Sequence, residues 1–264
     1  MSKDLVEKLI TLTINNKNKY PYINLDDDNN YNGWVTDFNL RNNDNKSAIK
    51  LDLHKEKDLF LLFVLATAWS KTGPWENAVF FTTYIKLKNI GVKQWCNIEF
   101  VKNEINKKNI SCQEITNKVS GINYRKKISF RKDFYNSVYI LANKWQEIKD
   151  YMEISSQKQN WKIFIDYISS IEGLGSGRNK MRIKIPLILR ELKCQNVYPN
   201  IDGKYCCVAD ERVRKAYSNY LHKNLPQDYL KASEIIWNDC GTLYDIPAFA
   251  CEDLCKNSNN HYLT

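Results

Sequence analysis

Apolar positions recur along this chain mostly at helical spacing. Residues 3–15 place Leu5, Leu9, Ile10 and Leu12 toward one side, which predicts an amphipathic helix. Residues 24–50 are different. They are rich in Asn and Asp (NLDDDNNYNGW, NLRNNDNKS), a composition that favours turns, and a lobe boundary is expected there. Helical pattern returns from Lys57. The run LFLLFVLATAW (59–69) is apolar almost all round, as a helix at the centre of a core should be, and is too short to span a bilayer. Gly73 and Pro74 punctuate it. A further helix is expected through Val79, Phe80, Tyr84, Ile85 and Leu87, and two or three more between 98 and 151.

Two later stripes match each other. Trp161, Phe164, Ile165 and Ile168 follow i, i+3, i+4, i+7, and Ile185, Ile188, Leu189 and Leu192 repeat that spacing. Between them lies EGLGSGRNK, so the two stripes predict a helix-hairpin-helix over 161–192. Alternating strand patterns are outnumbered and no internal repeat is evident. The expected fold class is all-α.

The hairpin turn has unusual chemistry. After Glu172, the residues to 190 carry Arg178, Lys180, Arg182, Lys184 and Arg190 and no acid. Gly173, Gly175 and Gly177 permit positive φ and close approach to another surface. The first N–H groups of the following helix lack intrahelical partners and, with the helix dipole, favour an anion. With the cations added, that anion is expected to be a nucleic-acid phosphate. An ordinary helical hairpin with a glycine cap and solvated cations would account for the glycines alone.

A second pattern follows at YCCVADERVRKAYSNYL. Asp210 precedes a helix whose apolar face is Val213, Ala216, Tyr217, Tyr220 and Leu221. A helix N-cap explains an Asp there. A catalytic carboxylate placed after a hydrophobic stretch and a helix-hairpin-helix explains it too.

Composition sharpens this reading. The formal charge is +9 with a pI near 9.0, which suits a polyanionic partner. A solvated basic surface would give the same sum. Sixteen Tyr, ten Phe and seven Trp supply rings that can stack on flat ligands. The first twenty residues have no long apolar region or cleavage site, so an intracellular, cytoplasmic location with mostly reduced thiols is expected.

Three segments together resemble the helix-hairpin-helix DNA glycosylase superfamily, and within it the archaeal GO (8-oxoguanine) glycosylase branch. They are FVLATAWSKTGPWENAVFF (63–81), GLGSGRNKMRIKIPLIL (173–189) followed by CVADERV, and EIIWNDCGTLYDIPAFACEDLC (234–255). The separation of about thirty residues from Lys180 to Asp210 fits the wide gap of that branch. The resemblance implies two helical lobes with the active site in the cleft between them. The lobes would be a helical barrel from 51 to 200, and a terminal-helix lobe formed by 1–50 and 201–264.

It also implies excision of an oxidised purine from DNA, followed by strand cleavage at the abasic site. Lys180 would be the nucleophile, with Lys184 the competing assignment, and Asp210 the carboxylate that stabilises the sugar cation or deprotonates the amine. Trp75 and Glu252 would line the base pocket, although a core Trp and a helix-start charge explain them equally. Gly173, Gly175, Gly177, Arg178, Arg182 and Lys184 would contact phosphate. Lys256 stands where the family has an aromatic residue, which bears on the choice of base more than on the reaction. The partner would be DNA, with no membrane, and the protein a monomer.

Eight cysteines raise the question of metal. Cys240, Cys251 and Cys255 lack the spacing and the fourth thiol of the family's iron–sulfur loop. Zinc on Cys251, Cys255 and His261 lacks short paired spacings. No cofactor or metal is expected. There is no HExxH and no GxxxxGK[ST]. Rival readings are a non-catalytic helix-hairpin-helix DNA-binding module, a monofunctional glycosylase for another damaged base using Asp210 and water, and an RNA-processing protein.

Overall fold

The structure is a computed structural model that describes residues 2–15, 25–33, 41–42, 50–69, 75–106, 119–120, 134–174 and 183–248. It is mostly helical. The helices are α1 (Ser2–Asn15), α2 (Glu56–Trp69), α3 (Trp75–Lys88), α4 (Val92–Trp95) and α5 (Ile98–Asn106), then α6 (Phe134–Asn143), α7 (Trp145–Gln157), α8 (Lys162–Ser169), α9 (Lys184–Cys194), α10 (Glu211–Asn219) and α11 (Tyr229–Cys240). The described strands are a two-residue antiparallel pair, β1 (Arg41–Asn42) with β2 (Val119–Ser120). Among the described residues, no helix is long and apolar enough to cross a membrane.

The chain divides into two units. One is the continuous stretch 35–177; the other joins residues 1–34 to 178–264. These divisions fall at 34/35 and 177/178, where the sequence suggested 50/51 and 200/201. In consequence α8 and α9 belong to different units, and the turn 175–182 between them lies outside the described residues.

The continuous unit is built around α2. Its residues 58–68 are all buried, as an apolar run without a polar face requires, and it packs on α3 and α6. Aromatic rings fill the space beside it edge to face. Phe60 and Phe63 lie 5.2 and 5.3 Å from Trp145, and Phe164 stands 5.9 Å from Trp161. The stripe Trp161, Phe164, Ile165 and Ile168 is buried, as its spacing predicts. Helix α7 ends in a Schellman motif: Gln159 has φ 49°, and the Asn160 N–H donates to the Ser155 carbonyl at 2.9 Å. Leu87, in the last turn of α3, is 42% exposed.

Gly173 explains part of the glycine-rich turn. It has φ +87°, and a Cβ there would come within 2.6 Å of Ser137 on α6. Glycine at this position serves close packing within the protein.

The other unit rests on α9 and α11. The stripe Ile185, Ile188, Leu189 and Leu192 is buried, together with Leu187. Asn196, at φ 56°, closes α9 with a second Schellman motif through Val197 N–H to Leu192 O. Helix α1 packs on α11. Its buried positions are Val6, Leu9 and Thr13, whereas Leu5, Ile10 and Leu12 are only half-buried. Thr13 can face inward because its hydroxyl donates to the Leu9 carbonyl at 2.8 Å.

Within the Asn- and Asp-rich stretch, residues 25–33 form a hydrogen-bonded turn. Asp26 accepts the Asn30 N–H at 2.8 Å, and Leu25 pairs with Tyr31 across a short bridge. That turn delivers Tyr31 into the core, 4% exposed, and brings Gly33 (φ +84°) against the Glu191 carboxylate.

Candidate functional site around Asp210

Helix α10 begins where Asp210 leaves extended backbone (φ −73°, ψ −179°) and its Oδ1 accepts the Val213 N–H at 2.9 Å. The N-cap reading of the sequence therefore holds. The capping bond alone would pull this carboxyl down, and Arg212 acts in the same sense. Burial is the larger influence and Asp245 adds to it, so the carboxyl is pushed up to about 6. Near neutrality such a group is ionised but close to the point at which it takes a proton, a property suited to proton transfer.

The four residues before Asp210 are Cys206, Cys207, Val208 and Ala209. All are buried, and the segment is neither helix nor strand. Its backbone polar groups therefore need partners from elsewhere, and side chains supply them. Cys207 N–H donates to Ser233 Oγ on α11 at 2.9 Å. Val208 N–H donates to Asp245 Oδ1 at 3.3 Å. The Ala209 carbonyl accepts Arg214 Nε at 2.9 Å. Arg214 Nη1 also donates to the Leu225 and Pro226 carbonyls at 3.1 and 2.9 Å, so one guanidinium ties the approach to Asp210 to the loop after α10.

Behind this segment lies a buried ion pair. Arg190 of α9 and Asp245 are both fully buried, and Arg190 Nη1 donates to the Asp245 Oδ1 that also receives Val208 N–H. Burial works against the Arg190 charge. Asp245 foremost, then Tyr31 and Glu191, outweigh it and hold the guanidinium firmly protonated. The Tyr31 ring lies 5.2 Å from the Arg190 guanidinium carbon, and Tyr244 meets Tyr31 edge to face at 5.9 Å.

The neighbouring thiols are not poised to react. Burial raises Cys206 and Cys207 well above the ordinary thiol range, and pushes Cys194 and Cys240 up to about 12. Cys194 lies 3.8 Å from the Tyr244 hydroxyl, and Cys240 lies 3.7 Å from that of Tyr217. Among the described residues, no three His, Cys, Asp or Glu side chains gather as a metal-ion site.

The remaining sequence candidates divide by position. Lys180, Gly175, Gly177, Arg178, Arg182 and Glu252 lie outside the described residues, as do Cys251, Cys255 and His261. Trp75 opens α3, and its side chain is likewise outside the description. Lys184 is the first residue of α9 and is 7% exposed, with Pro186 acceptably placed in the same first turn. That burial sets Lys184 apart from a solvent-facing phosphate contact.

Sequence reasoning singled out Asp210 and missed Arg214, Ser233 and Asp245; it counted Arg190 among the unopposed cations of the basic turn, whereas Arg190 is fully buried and paired with Asp245. A lone Arg or Asp within an amphipathic stretch carries no mark of the distant backbone group it will meet. Arg190 gave one usable signal: it falls inside the stripe Ile188–Leu192, where a charge needs a buried partner.

No family model matches the chain, and no curated protein or solved structure matches it either.

Proposed function

We propose that this protein is a helix-hairpin-helix DNA glycosylase with abasic-site lyase activity, which excises an oxidised purine, foremost 8-oxoguanine. The observation that carries the reading is Asp210. It is a carboxylate at a helix start, raised toward neutrality, on a segment held by side chains, and about thirty residues beyond Lys180 in a glycine-rich basic turn.

The reaction assigns each group a task. The damaged nucleotide leaves the duplex, because its glycosidic bond is inaccessible within the stack. Lys180 Nζ attacks C1′ as the bond from C1′ to the base breaks, and the base departs with that electron pair and takes up a proton. Asp210 accepts the proton lost by the amine and offsets the positive charge that develops on the sugar. The sugar ring opens to a Schiff base. Loss of a C2′ proton then expels the 3′ phosphate by β-elimination, and water releases Lys180. Arg178 and Arg182, with Gly175 and Gly177, would hold the backbone phosphate, and Trp75 and Glu252 would face the base.

The test is incubation with 8-oxoguanine, uracil, hypoxanthine and abasic oligonucleotides under borohydride. The reading expects a covalent protein–DNA product that Lys180→Gln abolishes. Base release without trapping points to the monofunctional enzyme, with Asp210 activating water. Neither release nor trapping, with salt-dependent binding, points to a non-catalytic DNA-binding module. Preference for structured RNA points to RNA processing.

A further inference from the structure

Asp245 Oδ1 accepts two hydrogen bonds, one from Arg190 on α9 and one from the backbone N–H of Val208, two residues before Asp210. Both side chains are fully buried. A buried ion pair is weak evidence of stability, because desolvation offsets most of the attraction and an apolar pair of similar volume often serves as well. Here the pair has a geometric consequence that an apolar pair cannot supply. It links α9 to the irregular segment that ends in Asp210.

We propose that Arg190 and Asp245 are positioning residues, which fix the Asp210 segment in register with α9 through the bond to Val208. This rests on the glycosylase reading, in which α9 follows the lysine-bearing turn and Asp210 must meet the same sugar. Asp245 is the hub. Arg190 holds the carboxylate in one orientation, and Glu191 and Tyr31 bear on Arg190 in turn. Ser233 and Arg214 pin the residues on either side of Val208, so loss of the middle contact lets the segment bow while its ends stay tied. Displacement of a reacting group by about 1 Å can lower a rate roughly 100-fold. The charged groups acting on Asp210 are Asp245, Arg212 and Arg214.

Two double variants isolate the contact. Arg190→Met with Asp245→Asn removes the buried charges but keeps an oxygen for Val208 N–H. Arg190→Met with Asp245→Leu removes the charges and the acceptor. The full chain is used, with melting temperature, single-turnover base release, KM, and the titration of the Asp210 carboxyl by carbon NMR. The expected result is that both fold and that the Asn variant keeps kcat within a few-fold. The Leu variant loses roughly 10- to 100-fold in kcat with KM unchanged. Asp210 also titrates lower in the Leu variant than in the Asn variant, because a released carboxyl gains water.

Equal kcat per folded molecule and equal Asp210 titration in the two variants would overturn the proposal. Failure of either to fold would also overturn it, by assigning the contact to folding alone. A wild-type protein that neither releases base nor is trapped sinks the glycosylase reading instead. The positioning role then stands or falls on the Asp210 titration.

Discussion

Asp210 Oδ1 and the Val213 amide nitrogen are 2.9 Å apart, so the carboxylate proposed to act on DNA is also the cap of its own helix. The two roles pull on its proton affinity in opposite directions. Capping favours the anion and burial disfavours it, and burial prevails, with the carboxyl at about 6.

A stability gain on removing the charge follows. Between the ordinary aspartate range and about 6, the folded protein holds a proton that the unfolded chain has lost. The contribution of Asp210 to stability therefore falls as pH rises through that window, and above it the half-buried charge costs on the order of 1–2 kcal/mol. Asparagine caps a helix as well as aspartate does. Asp210→Asn should raise the melting temperature at pH 7.5, show no gain at pH 4, and abolish base release. Calorimetry at the two pH values checks it, and a loss of stability at pH 7.5 would contradict it.

The same proton should be visible in the rate. Single-turnover base release should fall about tenfold per pH unit below roughly 6 and level off above it, because only ionised Asp210 can accept the lysine proton. A profile flat from pH 5 to 8 would remove Asp210 from the chemical step.

The two lysines of the turn are separable by trapping. Lys180→Gln should eliminate the borohydride adduct, whereas Lys184→Gln, which alters a buried residue of the first turn of α9, should keep it in the folded fraction. The reverse pattern would move the nucleophile to Lys184.

Much of this architecture was readable from the sequence wherever the determinant is local. Spacing identified the stripes at 161–168 and 185–192, because a helix repeats its contacts every turn. Asp210 as a cap was readable because its partner, Val213, is three residues away. Tyr31 was not, since an Asn-rich loop gives no sign that one ring in it enters a core. Arg190, Asp245 and Arg214 meet backbone groups or charges brought close only by the fold. On α1 the apolar count pointed to Leu5, Leu9, Ile10 and Leu12; Leu9 is buried, but its buried companions are Val6 and Thr13, with Leu5, Ile10 and Leu12 only half-buried. Apolar residues adjoining on a helix surface differ by small rotations that only a partner can fix.

Gly173 offers a test of the packing independent of function. Gly173→Ala forces a side chain into positive φ and to within 2.6 Å of Ser137, and should destabilise by about 2–4 kcal/mol in urea unfolding. Gly173→Ala with Ser137→Gly should recover part of that loss. A single variant as stable as wild type would contradict the packing.

DNA affinity should report the turn's cations. Each of Arg178→Ala and Arg182→Ala should lower the slope of log affinity against log salt by about 1 if it meets a phosphate. Unchanged slopes would assign both to the solvated surface.

One of the two units is assembled from separated stretches, residues 1–34 and 178–264, and this orders events at the ribosome. Helix α1 and the Tyr31 loop are synthesised well before α11 and Arg190, their packing partners, and at roughly 5–20 residues per second the wait is on the order of 10–45 s. The intervening stretch can complete its own folding within that interval. The nascent protein therefore leaves Val6 and Leu9 without the helix that covers them until translation is far advanced.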